Sequence, residues 1–227
     1  MKKSEFIKSS VLTGITCITC AVTTNSNAAI VINEFDYDQP GTDSAEFIEL
    51  YNGGSSTTSL DNYTIKLING NNSTAYRNID LSGFSISASG YFVVCGDASL
   101  VANCDYSFTA SGSWIQNGSP DAIALYQEND LLDSISYEGS LGLFTEGDAF
   151  APEDNNNDIL SIGRTLDGID TNNNALDFQL GCITPGSANI AGMGDCSSTG
   201  VSAVPVPAAA WLLASGLIGL IGFSRRS

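Results

Sequence analysis

The feature that most constrains this chain is a train of short apolar runs, none long enough for a helix of ordinary length. "AIVINEFDY", "AEFIELYN", "NYTIKLIN", "YFVVCGD", "DAIALYQ", "LLDSISYE" and "ILSIGRT" each have the length of one strand and are rich in Ile, Val, Phe and Tyr, side chains that fill a pleated, half-buried surface. Between them stand "NGGSSTTS", "INGNNST" and "QNGSP", where Gly, Asn and Ser supply turns. No part of this body keeps a 3.6-residue apolar period for a dozen residues. About seven or eight short strands in roughly 160 residues predict an all-β chain folded as a β-sandwich. "YQENDLLDSISY" predicts a hairpin turning around Glu128-Asn129-Asp130.

Charge narrows the partners. Of 25 acidic residues only Glu5 precedes residue 30, and five of the eight basic residues lie at the two ends. The body carries 24 acidic residues against Lys66, Arg77 and Arg164, a net charge of −21. Nucleic-acid affinity comes mainly from Lys and Arg displacing counterions, so DNA and RNA are excluded as partners. Neutral or basic partners and divalent cations remain. There is no histidine, which removes the usual general base and every Ser-His or Cys-His nucleophile pair.

The two ends read as addresses. "MKKSEFIK" is a basic start, "VLTGITCITCAV" an apolar stretch and "TTNSNA" a polar one, together a signal peptide over 1–28 with cleavage before Ala29. Four cysteines then remain: Cys95, Cys104, Cys182 and Cys196. No CxxC pair survives, so an even count in an exported chain reads as disulfides. Proximity favours Cys95–Cys104 and Cys182–Cys196 among three pairings. Residues 191–203 read as a linker. Val204 to Phe223 carries no charge, and 20 residues of helix at 1.5 Å each just cover a ~30 Å hydrocarbon core. Arg225 and Arg226 would hold the terminus cytoplasmic. A C-terminal transmembrane helix is therefore expected in 204–227.

Two resemblances follow from these residues. "INE" (32–34), "EFIELYN" (46–52), "LDNYTI" (60–65), "SGYFVVCGD" (89–97), "DAIALY", "LLDSISY" and "ITPGSAN" (183–189) run in the order of the lamin tail domain family. Residues 29–190 resemble that immunoglobulin-like β-sandwich, with Asn62 where the family usually has Gly and with "QNGSPD" (116–121) longer than usual. The resemblance implies a binding, tethering or accessory module without shared catalytic residues. Val204-Pro205-Val206-Pro207-Ala208, the apolar stretch and Arg225-Arg226 resemble the PEP-CTERM sorting tail in its VPLPA variant, with Val206 where the variant has Leu. That resemblance implies an exosortase-like partner in the membrane. It places the protein at the cell envelope, outer surface or extracellular matrix of an exopolysaccharide-making Gram-negative bacterium; the alternative is a plain anchor facing the periplasm.

Three groups of residues could carry chemistry. Strand alternation puts Glu34 on the face of Ile30 and Ile32, and Glu46 on that of Ile48 and Leu50. Two partly buried glutamates could do acid/base work on a glycosidic bond, although the resemblance makes both part of the framework. Asp154-x-Asn156-x-Asp158 and Asp170-x-Asn172-x-Asn174 follow the oxygen rhythm of a Ca²⁺ loop, but Ile159 and Ala175 stand where an EF-hand needs Gly. Trp114, Tyr76 and Tyr106 lie in loop-like sequence and could stack on sugars, or lie in the core. The leading expectation is a non-enzymatic surface or matrix module, needing no cofactor, that binds protein or polysaccharide. A membrane-anchored, Ca²⁺-dependent adhesion module and a carbohydrate-active enzyme using Glu34 and Glu46 are the alternatives.

Overall fold

The structure is a computed structural model describing residues 30–108, 114–118, 120–155, 159–192 and 196. In chain order its strands are β1 (Ile30–Asp36), β2 (Phe47–Asn52), β3 (Thr58–Ser59), β4 (Tyr63–Asn69), β5 (Thr74–Asp80), β6 (Ser85–Ile86) and β7 (Tyr91–Cys95). There follow β8 (Cys104–Ser107), β9 (Asp121–Gln127), β10 (Asp130–Tyr137), β11 (Ser161–Arg164), β12 (Phe178–Cys182) and β13 (Ile190–Ala191). One 3₁₀ turn (Gly142–Phe144) and one four-residue helix, α1 (Asn174–Asp177), complete the described elements.

The all-β expectation holds. One sheet has the order β13-β12-β11-β1-β2-β7-β8, the other β10-β9-β4-β5, and β3 pairs with β6 at the side. Ile48 and Leu50 of β2, Phe92 and Val94 of β7, Ile65 and Leu67 of β4, and Ile123 and Leu125 of β9 share one buried cluster, the alternate residues of each strand meeting in the middle of the sandwich. All seven anticipated runs are strands. The predicted hairpin joins β9 to β10, with Gln127 opposite Asp130 and Glu128 at φ 56°, the left-handed backbone a two-residue turn needs.

The apolar runs do not mark β5, β8 and β12, nor the two-residue strands β3, β6 and β13. "TAYRNID" is polar because β5 is the outermost strand of its sheet, bonded only to β4 and fully burying only Ile79. A polar edge strand lacks the apolar alternation by which strands are found, and it resists pairing with other chains.

Alternation itself fails once where it matters. Ile32 pairs with Leu50 and Glu34 with Glu49, leaving Asn33 as an extra residue in β1. This β-bulge shifts the phase: Ile30 and Ile32 enter the central cluster before it, and Phe35 and Tyr37 after it. Glu34 therefore does not share the face of Ile30 and Ile32, contrary to the alternation argument.

Both disulfides favoured by proximity are present. Cys95–Cys104 ties β7 to β8, the one described strand pair that runs parallel. Cys182–Cys196 fastens the chain after β13 back onto β12. The signal peptide (1–28), the motif Val204 to Ala208, Arg225 and Arg226 lie outside the described residues, as does most of the 191–203 linker. Among the described residues no helix is long and apolar enough to cross a membrane. Reducing the disulfides is expected to cost about 3 kcal/mol per loop through regained chain entropy. The urea midpoint with and without reductant measures it, and coincident curves would show that the crosslinks contribute nothing.

Candidate functional site

Acidic side chains are buried here in unusual number, and each group has its own means of staying folded. On the outer face of the large sheet, Glu34 Oε1 accepts from Ser161 Oγ at 2.5 Å and from the Thr184 N–H at 2.8 Å, while Oε2 accepts from Thr184 Oγ1 at 2.8 Å. Glu49, opposite it in register, accepts from Asn33 Nδ2 at 2.8 Å and from the Gly186 N–H at 2.6 Å. Gly186 has φ +79°, and a Cβ there would stand 2.5 Å from Asn103 Cβ. Only glycine fits that approach. The bulged Asn33 also donates to Asp167 Oδ1 and accepts from the Gly168 N–H. These side chains pin the 167–168 and 184–189 segments to the sheet. Burial raises Glu34 to about 7 and Glu49 to about 8, their hydrogen bonds only partly opposing it.

Glu46 works on the other face. Its carboxylate accepts from the Trp114 N–H at 2.6 Å and the Ile115 N–H at 3.3 Å, holding a loop whose Trp114 and Ile115 side chains enter the central core. Glu34 and Glu46 thus reach opposite faces of the sheet and do not converge on one reacting atom. Trp114 is only 2 % exposed, while Tyr76 and Tyr106 pack against the same core, so these rings are packing residues and make no exposed stacking platform.

Arg164, the last residue of β11, is a site residue that no sequence motif marked. Its Nη2 lies 3.0 and 2.8 Å from the two oxygens of Asp133 on β10, its Nε donates to the Ile32 carbonyl at 2.7 Å, and its Nη1 donates to the Ile169 carbonyl at 2.7 Å. Asp133 in turn accepts from the Ile32 N–H at 2.7 Å. The guanidinium stacks 4.6 Å over Phe178, with Asp177 at 3.4 Å and Asp170 at 3.7 Å. Its signal was a lone basic residue inside an apolar strand, which must be paired when buried.

Ligand atoms of Asp133, Glu146 and Asp170 lie within 4.8 Å of one another, close enough for a metal. Arg164 already supplies positive charge there. Burial nevertheless lifts Glu146 to about 8, with Asp133 and Asp170 adding to the effect. Of the second Ca²⁺ rhythm, Asp170 accepts from the Asn172 N–H, and Asn172 has φ 56°. Asn174 bridges backbone, accepting from the Ser136 and Glu146 N–H groups and donating to the Ser134 carbonyl. These three residues shape the turn into α1. Of the first rhythm, Asp154 is buried beside Asp36, while Asn156 and Asp158 lie outside the described residues.

An open, polar cleft of about 840 Å³ is lined by Asn69, Asn71, Gln116, Asn117 and Asp121 among others.

Two predictions follow from the buried charges. Arg164→Leu leaves Asp133 uncompensated and is expected to cost about 3–5 kcal/mol. The double variant with Asp133→Leu removes the bare charge but recovers only part of the loss, because the Ile32 N–H and carbonyl then lack partners. Urea denaturation of the two variants measures this. The second concerns pH. Glu34, Asp36, Glu49, Glu146 and Asp154 all have raised values, about 7, 7, 8, 8 and 9. A carboxyl that holds its proton more tightly when folded favours the fold fully below its unfolded pKa and loses that contribution as pH rises through the folded one. Asp61, Asp80 and Asp97, lowered by hydrogen bonds from Gly83, Ser82 and Ser99, act oppositely, and their contribution is lost in acid. In chelator the melting temperature should peak near pH 4–5 and fall toward about pH 9; a maximum above pH 7 would refute this.

No curated protein matches the sequence. Among solved structures, the crystal structure of a DUF4876 family protein from Bacteroides thetaiotaomicron is similar, with 11% identity, a TM-score of 0.45, and coverage of 74% of this chain and 73% of that one. The family model of the Lamin Tail Domain matches residues 23–139. That match takes in more than half of the sequence and runs from before β1 through β10, and the chain belongs to the lamin tail domain family.

Proposed function

We propose that this protein is an exported, non-enzymatic binding or structural module of the cell surface or extracellular matrix, sorted through its C-terminal tail. The observation that carries the reading is the pair of disulfides standing between an export-type start and a sorting-type tail. Disulfides form and persist in oxidising compartments outside the cytoplasm. Val204-Pro205-Val206-Pro207-Ala208 is the segment a membrane-bound, exosortase-like enzyme would recognise, with Arg225 and Arg226 as the cytoplasmic stop.

A non-catalytic role agrees with the lamin tail fold, a scaffold that typically carries no catalytic residues. It also agrees with the engagement of Glu34 and Glu46, whose oxygens are taken up by loop N–H and hydroxyl groups. The partner is protein or polysaccharide. The amide-lined cleft favours a neutral glycan, because Asn and Gln side chains offer both donors and acceptors to sugar hydroxyls.

The intact mass of the native protein from fractionated source cells tests the sorting reading. A species lacking 1–28 and most of 208–227 in the surface or secreted fraction is expected. A species retaining Arg225 and Arg226 in the inner membrane would replace it with a plain anchor. The recombinant protein should release no sugar from a polysaccharide panel, and turnover abolished by Glu34→Gln or Glu46→Gln would overturn the non-enzymatic reading.

A further inference from the structure

The two densest groups of buried acid differ in one respect. Asp133, Asp170 and Asp177 surround Arg164. Asp36 and Asp154, at the end of β1 and in the 151–155 segment, have no such cation. Among the described residues the other basic side chains are engaged elsewhere, Lys66 over the Tyr126 ring and Arg77 over Phe108.

Asp36 is 1 % and Asp154 2 % exposed. Their carboxyls face each other within hydrogen-bonding reach. Asp36 Oδ1 takes the Gln39 amide at 2.6 Å, but neither oxygen of Asp154 receives any N–H or O–H donor. Two carboxylates cannot bond to each other without something positive between them, and desolvating such a pair bare costs several kcal/mol. The surroundings are also negative. Asp38 acts on Asp154, Glu34 acts on Asp36, and the Tyr37 hydroxyl, which accepts from the Asp154 N–H at 3.1 Å, donates to Glu138 at 2.7 Å.

The neutralising species is a proton or a metal ion. Burial raises both carboxyls toward holding a proton, and a hard divalent cation competes with that proton by taking the carboxylate oxygens directly. Asp36 also lines a partly open pocket of about 320 Å³ with Gln39, Pro40 and Ala45, a route from solvent.

We infer that Asp36 and Asp154 form a divalent-cation site, suited to Ca²⁺, that ties the 151–155 segment to the end of β1. Both oxygens of Asp154 and one of Asp36 face the ion, and water and backbone carbonyls complete the shell, since Ca²⁺ takes six to eight oxygens in flexible geometry. The site holds for an anchored or a released protein alike.

The test is thermal melting of the full chain at pH 7.5, stripped with chelator and then titrated with Ca²⁺ or Mg²⁺, beside Asp154→Asn and Asp36→Asn. A site of the affinity usual in extracellular modules should raise the wild-type midpoint by about 3–10 °C at roughly 10 mM Ca²⁺, with a smaller response to Mg²⁺. Neither variant should respond, and in chelator each should melt at or above wild type, because a bare buried charge has been removed. Terbium emission sensitised by tyrosine gives a readout independent of stability. Tyr37 adjoins the site, so a Ca²⁺-displaceable signal should be present in wild type and lost in both variants. A wild-type midpoint that ignores Ca²⁺ but rises on acidification would mean a shared proton and overturn the site. A Ca²⁺ response surviving in either variant would place the ion elsewhere and overturn it equally.

Discussion

The fold depends on the contact between Arg164, Asp133 and the backbone of Ile32. Pairing of β1 with β11 begins only at Glu34, so Ile32 sits where the ladder has not started and next to the Asn33 bulge. Its N–H goes to Asp133 on the opposite sheet and its carbonyl to Arg164 Nε. One ion pair thus bridges the two sheets and serves both backbone groups of a residue in the middle of the core. A buried pair is often no more stable than apolar residues of the same volume. Here it does what apolar residues cannot, since Leu or Met would offer no partner to either group, and unpaired backbone in a core is costly.

The same constraint explains where the negative charge goes. A body with 24 acids and three bases cannot pair its charges internally, and long-range repulsion opposes compaction. Many of these residues lie on the surface, where water screens them. Several buried ones act as hydrogen-bond acceptors for loops that have no ladder of their own. Glu34 holds Thr184, Glu49 holds Gly186, Glu46 holds Trp114 and Ile115, and Asp121 holds Gly70. A carboxylate accepts at several positions and donates at none, so it suits a loop that presents consecutive N–H groups. Raised pKa values at Glu34, Glu49 and Asp121 are the cost of placing these acceptors inside.

What was legible in the sequence was whatever depends on local pattern. Alternating runs such as "NYTIKLIN" located the central strands, because a buried strand face must be apolar at every second residue. Cysteine spacing favoured the observed disulfides for a similarly local reason. The unread parts depend on the third dimension. β5 is polar because it is an edge, and being an edge is a property of topology. The bulge at Asn33 leaves no mark in composition, yet it inverted the face assigned to Glu34. Arg164 and Asp133 are 31 residues apart, and nothing in either strand's pattern names its partner. The pairing of Asp36 with Asp154 was invisible for the same reason, although one half of it lay inside a recognised oxygen-rich rhythm.

The residues that made the family resemblance most specific are therefore framework residues. "INEF" supplies a bulge residue and a loop clamp, and "EFIEL" supplies two more clamps around a buried pair of apolar side chains. Their spacing is demanding because each must meet a particular N–H on a distant loop, and a one-residue slip would present the wrong face. This separates the sandwich from its use. The clamps fix the ends of the loops while leaving their outward side chains unconstrained by the core. Recognition then falls to exposed residues and to the amide-lined cleft, which can change without disturbing the fold. A scaffold whose loops are held by buried acids is well suited to carry varied surfaces on a constant frame.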